Sequence, residues 1–398
     1  MATRGSSGHV EPFVPIARAA IAAGHDVLVS TQHQHRANVD RAGLAVAPVG
    51  DPPEHEWKPL LGEFARMDLD TADAAMIGDF FGRIDTRAAL PDLLRIVEGW
   101  APDVIVRETW EFASTVVADL YGIPLVRVGL GLAAVEERTI RYAAPALDAV
   151  RADVGLRPDP AGDRLRDAPY LTQMPALLDR PTGAIAPRIH RYRPRPVAEA
   201  ASAEPLVYFT LGSVAASAHL PYFPAVYRAA IEALATLPAQ VLVTVGNERD
   251  PAELGALPPN VRVERWVPQD EVLARAAAVV CHGGSGTTLG ALSYGVPLVV
   301  LPLFSVDQWD NAAAVAGVGA GIALDRGRRE RHVLGPPPPS TLDQLAGAAR
   351  RVLEDDAYRR AAGGVADAIR ALPPVGTAVD VLAASAAGAP APAVLGRN

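Results

Sequence analysis

The stretch CHGGSGTTLGALSYGVPLVVLPLFSVDQWDN, residues 281–311, gathers residue types that bind an anion and a polyol. Gly283, Gly284 and Gly286 permit a sharp turn and let the backbone approach a ligand without Cβ clashes. The turn follows an apolar run ending at Cys281. It precedes a helix-forming segment that begins near Thr287, with Ser285 as N-cap, and stops at Gly295 ahead of Pro297. Free N–H groups and the positive end of a helix make an anion site, and phosphate is the obvious anion. Farther on, in a polar loop, Asp307 and Gln308 offer a carboxylate and an amide that can bracket sugar hydroxyls; the plainer alternative is a polar loop with one helix cap. A Walker loop needs a Lys after the glycines, and none is here. A dinucleotide turn needs G-x-G-x-x-G, which GGSGTTL does not match, and Asp307 stands beyond the tip of the second strand. GLGLAA at 129–134 is a second loose match to that pattern. The remaining reading is a nucleoside diphosphate whose sugar reaches Asp307 and Gln308.

Elements of parallel α/β type must position these groups. HDVLVST, PDVIVRE and IPLVRVG read as short buried strands, with helical stretches such as PFVPIARAAIAAG between them. Residues 52–100 mix Trp57, Phe64, Met67, Met76, Phe80, Phe81 and Trp100 with charges and read as amphipathic helices and loops, an insertion suited to lining a greasy pocket or to ordinary packing. The proline-rich text from 181 to 205 reads as linker. Alternation then restarts with PLVYFTLGS, AQVLVTVG, VRVERWVP, AAAVVCHGG and VPLVVLPL. The division expected is 1–190, a linker at 191–204, 205–372, and 373–398 as a last helix with a disordered end. Two open α/β domains leave a cleft where the carboxyl ends of their strands face each other.

Composition narrows the partners. With 398 residues, 49% hydrophobic, the chain can build two cores. A net charge of −8 without a basic block argues against nucleic acid and anionic membranes. A single cysteine, Cys281, excludes a disulfide framework; it reads as a small buried hydrophobe in a reducing compartment. No apolar run approaches the ~18 residues of a membrane span. The N-terminus carries no signal-peptide pattern. The expectation is a cytoplasmic, soluble monomer or homodimer.

Residues 266–311, from WVPQDEVLARAAAVVCHGG through SVDQWDN, resemble the donor-binding signature of family 1 glycosyltransferases, above all the bacterial enzymes that decorate polyketides, macrolides and enediynes with deoxysugars. The resemblance continues through GSSGHVEPFVPIARAAIAAGHDV, PDVIVRETWEFASTVVADLYGIP and PLVYFTLGS. It implies the GT-B fold: two Rossmann-like, doubly wound parallel-sheet domains facing across a cleft, the first binding acceptor, the second binding nucleotide sugar, and a tail helix crossing back to the first. Carried over, Trp266 would stack on the base, Val267 meet it through its backbone and Gln269 lie near base or ribose. His282, Gly284, Ser285, Gly286 and Thr287 would hold the diphosphate, with Ser213 nearby. Asp307 and Gln308 would bind sugar hydroxyls. Plant relatives carry a Glu eight residues after the signature His, for the ribose hydroxyls; here Gly290 stands there, which favours a dTDP-sugar over a UDP-sugar.

Glycosyl transfer to an alcohol needs a base, and an imidazole of ordinary pKa ~6.5 suits that task. The resemblance singles out His9, three before Pro12, and pairs it with Glu108, where many relatives have Asp; Glu111 competes for that role. DLD at 68–70 fits the Asp-x-Asp metal motif of another glycosyltransferase fold but lies in the helical insertion, and EDD at 354–356 lies in a surface helix pattern. No metal and no cofactor are expected. The implied reaction is inverting transfer from a dTDP- or UDP-sugar to a hydroxyl of a hydrophobic natural product, with residues 52–100 and 130–180 as the acceptor pocket. A non-catalytic helper of the same fold and a nucleotide-sugar 2-epimerase are the alternatives. The resemblance also implies a longer first central strand than Met1–Thr3 supplies, hence a start codon assigned late or a truncated product.

Overall fold

The computed structural model describes residues 1–4, 7–64, 66–179, 188–194, 205–216, 220–324 and 335–388. Most of the expected linker, 195–204, and the end expected to be disordered, 389–398, lie outside the described residues.

Short runs of β-branched residues form two parallel sheets. In the first, β1 (Val29–Gln32) pairs with β2 (Val46–Val49), and β3 (Ile105–Glu108), β4 (Leu125–Val128), β5 (Tyr170–Thr172) and β6 (Ile189–Arg191) follow in order. Met1–Thr3 joins the two groups. Ala2 bridges Ser30 on one side and Arg107 on the other, and its N–H donates to Val106 O at 2.7 Å. The second sheet comprises β7 (Leu206–Thr210), β8 (Gln240–Thr244), β9 (Val261–Glu264), β10 (Ala276–Cys281), β11 (Leu298–Val300) and β12 (Gly321–Ala323), ordered β12-β11-β10-β7-β8-β9. β6 corrects the reading of this region as linker. Among the described residues it is an edge strand paired with β5, so it can form without the continuous apolar run that marks a central strand.

Helices cover both faces, so the central strands bury side chains on each side. On β7, Val207 and Phe209 enter one core and Tyr208 the other. Cys281 is fully buried in the second of these, and burial pushes its thiol up to about 11, consistent with an inert packing role. In the first sheet, Val106, Val126 and Val128 face a core shared with Phe13 and Ile16 of the helix Phe13–Ala22 and with Ala378 and Leu382 of the last helix, Gly376–Ala387.

The opposite face of β3 and β4 carries charge. Arg107 and Arg127 are register neighbours, both fully buried, and both turn to Glu136, at 3.6 Å and 3.2 Å. Breaking such a buried pair costs about 3–5 kcal/mol, so Glu136 fastens its helix, Ala133–Asp153, to the sheet. The insertion is helical almost throughout: Glu54–Phe64, Leu69–Ala75, a π-helix at Met76–Asp85, then Thr86–Trp100. Among the described residues, no helix is long and apolar enough to cross a membrane.

Candidate active site

His9 lies in the one-turn helix Ser7–Val10 that follows the Met1–Thr3 bridge. Its Nδ1 stands 3.0 Å from Glu108 Oε1, with the histidine side chain 14% exposed and the glutamate 0%. Glu108 ends β3, and its carboxylate is held from three sides. Oε1 also accepts the Arg4 N–H at 3.1 Å, and Oε2 accepts the Trp110 N–H at 2.7 Å. An acceptor so fixed assigns the ring proton to Nδ1 and leaves Nε2 as the free acceptor. Arg107 shapes the turn behind it by donating to the Thr109 and Glu111 carbonyls. Glu111, the competing carboxylate, accepts the Ser114 N–H at 3.0 Å and the Ser114 hydroxyl in the first turn of the helix Ala113–Tyr121; among the described residues no bond joins it to His9.

Trp110, which the sequence did not single out, joins aromatic residues of the insertion to complete this half. Trp110 packs its indole 5.0 Å from the His9 ring and donates Nε1–H to Thr139 Oγ1 at 3.2 Å. Phe81 stacks on Trp110 at 5.9 Å, and Phe80 and Trp57 extend the aromatic run. Arg4, buried, makes a two-pronged ion pair with Asp85, which also accepts from Gln32 Nε2 at 2.6 Å. Of the other insertion residues, Phe64 is core, and Trp100 lines a separate groove beside Met1. Asp68 of the DLD stretch is a helix N-cap, accepting the Thr71 N–H at 3.0 Å and its hydroxyl at 2.8 Å.

The glycine turn after β10 leads into the helix Ser285–Ser293. Gly284 is its N-cap and Ser285 its first residue, which corrects the cap expected at Ser285: the side chain of Ser285 instead accepts from Asn311 Nδ2 at 3.0 Å. Gly283 has φ +90°, and a Cβ there would meet Gln308 O at 2.8 Å. The His282 ring fits between Gly212 and Gly284, where added Cβ atoms would lie 2.7 Å and 2.6 Å from it. Burial pushes His282 down to about 4, so at neutral pH it is an uncharged hydrogen-bonding group, and its Nδ1 has no partner among the described residues. Thr287 Oγ1 accepts from Gln269 Nε2 at 3.2 Å. Trp266 is 65% exposed, an open ring face just ahead of Val267; Ser213 is exposed in the turn after β7.

Asp307 and Gln308 belong to the first turn of the helix Val306–Gly317, not to a polar loop. Gln308 is buried, and its Oε1 accepts the N–H groups of Leu303 (2.8 Å) and Phe304 (3.2 Å), so only its amide NH2 is left for a ligand. Asp307 accepts from Ser305 Oγ; burial raises its carboxyl while the Arg138 guanidinium opposes that rise. Arg138, from the other lobe, donates to Asp73 Oδ2 at 3.0 Å and to Asp310 Oδ2 at 2.6 Å. The two halves meet at a cleft of about 700 Å³, lined by Gly8, Glu11 and Pro12 on one side and by Gln269, Ser285 and Gly286 on the other.

Similarity to known proteins runs through both lobes. Residues 18–174 match the N-terminal domain, and residues 228–384 the C-terminal domain, of the Erythromycin biosynthesis protein CIII-like family. The elloramycin glycosyltransferase ElmGT of Streptomyces olivaceus is 33% identical over 387 residues, covering 92% of this chain and 91% of its own. The L-demethylnoviosyl transferase of Streptomyces niveus is 32% identical over 333 residues, covering 80% and 82%. The structure of the spinosyn rhamnosyltransferase SpnG complexed with thymidine diphosphate matches with a TM-score of 0.72 at 25% identity, over 96% of this chain and 99% of its own. Architecture and cleft thus define a GT-B glycosyltransferase. Within that class the chain belongs to the Erythromycin biosynthesis protein CIII-like family, glycosyltransferases of natural-product pathways that use nucleotide sugars.

Proposed function

We propose that the chain moves a deoxysugar from a TDP-sugar to a hydroxyl of a hydrophobic natural product, in one inverting, metal-independent displacement. The carrying observation is that the segment around His9 and the start of the anion-binding helix line the same cleft. In this reading His9 Nε2 takes the acceptor's hydroxyl proton, and Glu108 holds the Nδ1 proton and stabilises the imidazolium that forms. The acceptor oxygen attacks the anomeric carbon as its bond to the diphosphate oxygen breaks. The leaving diphosphate is held by the N–H groups of Gly284, Ser285, Gly286 and Thr287 and by neutral His282, with Ser213 nearby; donors already in place there make a metal unnecessary. Trp266 stacks on the base, which Val267 meets through its backbone, and Gln269 faces base or ribose. Asp307 and the Gln308 amide NH2 take the sugar hydroxyls.

Thymidine diphosphate is favoured by the complex in which SpnG was solved. Gly290 supports it: with no side chain, that position offers a ribose 2′-hydroxyl no partner. Trp57, Phe80, Phe81 and Trp110 give the acceptor an aromatic wall that ends at the base.

The test is product analysis across TDP- and UDP-sugars with phenolic and aliphatic acceptors, in EDTA. The expected product is a glycoside of inverted anomeric configuration, formed fastest from TDP donors. Retained configuration, activity that returns only with Mg²⁺ or Mn²⁺, or an altered nucleotide sugar formed without acceptor would each overturn this reading.

A further inference from the structure

Arg138 reaches across the cleft from the acceptor lobe to the helix that begins with Asp307 and Gln308. Its side chain is 12% exposed, and the guanidinium divides its donors: Nε to Asp73 of the insertion helix Leu69–Ala75, Nη1 to Asp310 of the helix Val306–Gly317. Asp310 follows Asp307 by three residues, so the two stand one above the other on one helix face. Leu69, Val306 and Trp309 form a buried apolar cluster beside the ion pairs, closing the same contact from a second direction. The neighbouring residue, Thr139, accepts the indole N–H of Trp110, whose backbone N–H fixes Glu108. One turn earlier, Glu136 anchors the helix to the sheet through Arg107 and Arg127. A single helix fastened to the sheet therefore contacts the base assembly with one residue and the sugar-side helix with the next.

We infer that Arg138 is a positioning residue for glycosyl transfer: by clasping Asp310 and Asp73 it sets the Asp307 end of the sugar-side helix at a fixed offset from the His9–Glu108 pair. This rests on the proposed roles of Asp307 and His9. Around this cation stand three carboxylates, Asp73, Asp307 and Asp310. Asp73 is raised to about 6, by burial first and by the other two carboxylates in part, against the pull of Arg138. Without the guanidinium, three like charges would share one partly buried space and push the helix off its seat. The nucleotide contacts all lie in the other lobe and would be left intact.

The full chain tests this with the TDP-sugar and acceptor pair on which it turns over fastest. Transfer and donor hydrolysis are measured per TDP-binding site, the sites being counted by calorimetry with TDP itself. Arg138→Gln should lower transfer kcat about 10–100-fold, as a small misplacement of reacting groups does. Its TDP affinity should stay within about twofold, and its ratio of hydrolysis to transfer should rise, because water needs no alignment with His9. Arg138→Gln combined with Asp310→Asn should be less impaired than the two losses multiplied, since one repelling charge is gone. Transfer and hydrolysis falling together in proportion to lost TDP sites would show a merely structural role and overturn the inference. An unchanged kcat would do the same. His9→Ala is run beside them: full transfer in that chain would sink the base assignment, while the partition in Arg138→Gln would still report on Arg138.

Discussion

The Trp110 indole lies 5.0 Å from the His9 imidazole, centroid to centroid, while the backbone N–H of the same residue bonds Glu108 Oε2 at 2.7 Å. One residue thus touches both members of the proposed base pair. The indole stands close enough to steady the imidazolium of the proposed mechanism, a cation–aromatic contact worth about 0.5–2 kcal/mol. Trp110→Ala should cost transfer about tenfold or more, whereas Trp110→Phe, which keeps a ring but loses the bond to Thr139, should cost less. TDP affinity should not change in either. Equal turnover in Trp110→Ala and the native chain, measured with an aliphatic acceptor, would remove the indole from the mechanism.

His9→Ala should reduce turnover by roughly 10²–10⁴-fold with little effect on donor binding, since the proposed donor contacts lie in the other lobe. Glu108→Gln should cost less with a phenol, whose pKa of ~10 leaves less work for the base than an aliphatic alcohol does. The decisive result is the rate of His9→Ala on an aliphatic acceptor. Near-native turnover there would hand the base role to another group.

The sequence and the structure agree most closely where one local signal decides. Valine-rich runs became strands, and the glycine turn became a strand-to-helix joint, because apolar period and glycine placement act within a few residues. Asp307 and Gln308 read as loop in the sequence because a short polar stretch there carries no helical apolar period; in the structure they open a helix after Ser305, and the Gln308 side-chain oxygen takes two N–H groups of the preceding turn. β6 was hidden for the opposite reason, since an edge strand needs a partner more than a pattern. Trp110, Thr139 and Arg138 carried no signal at all. The Arg138–Asp310 bond joins positions 172 apart in sequence, and no spacing rule foresees it.

Trp266 is largely exposed, and in the proposed complex it stacks on the base. Stacking on an aromatic side chain is worth about 1–3 kcal/mol, so Trp266→Ala should weaken TDP binding about 5–100-fold by calorimetry, with Trp266→Phe intermediate. An unaltered dissociation constant would place the base elsewhere.

His282 should leave a signature in acid. Its folded-state pKa is about 4, below the usual 6.5. Between those values the unfolded chain binds the extra proton, so the contribution of His282 is complete above about pH 6.5 and is lost as pH falls toward about 4. Asp73, raised to about 6, acts oppositely, favouring the folded state as pH falls through that value. Comparing the native chain with His282→Gln cancels Asp73 and other shared terms. Urea unfolding should show the variant losing less stability between pH 7 and pH 4.5; identical losses would mean that the ring is not held neutral.

The chain passes between the lobes at two places, and the passages are tied side by side: the Arg193 N–H donates to Pro373 O at 2.7 Å, and its guanidinium reaches Arg370 O. Two separate crossings would let the lobes slide as well as swing. Bound together, they form a single tether, and rotation about one tether is easier than sliding. Such a rotation would move the residues beside Arg193 and Pro373 least and those farthest from them most.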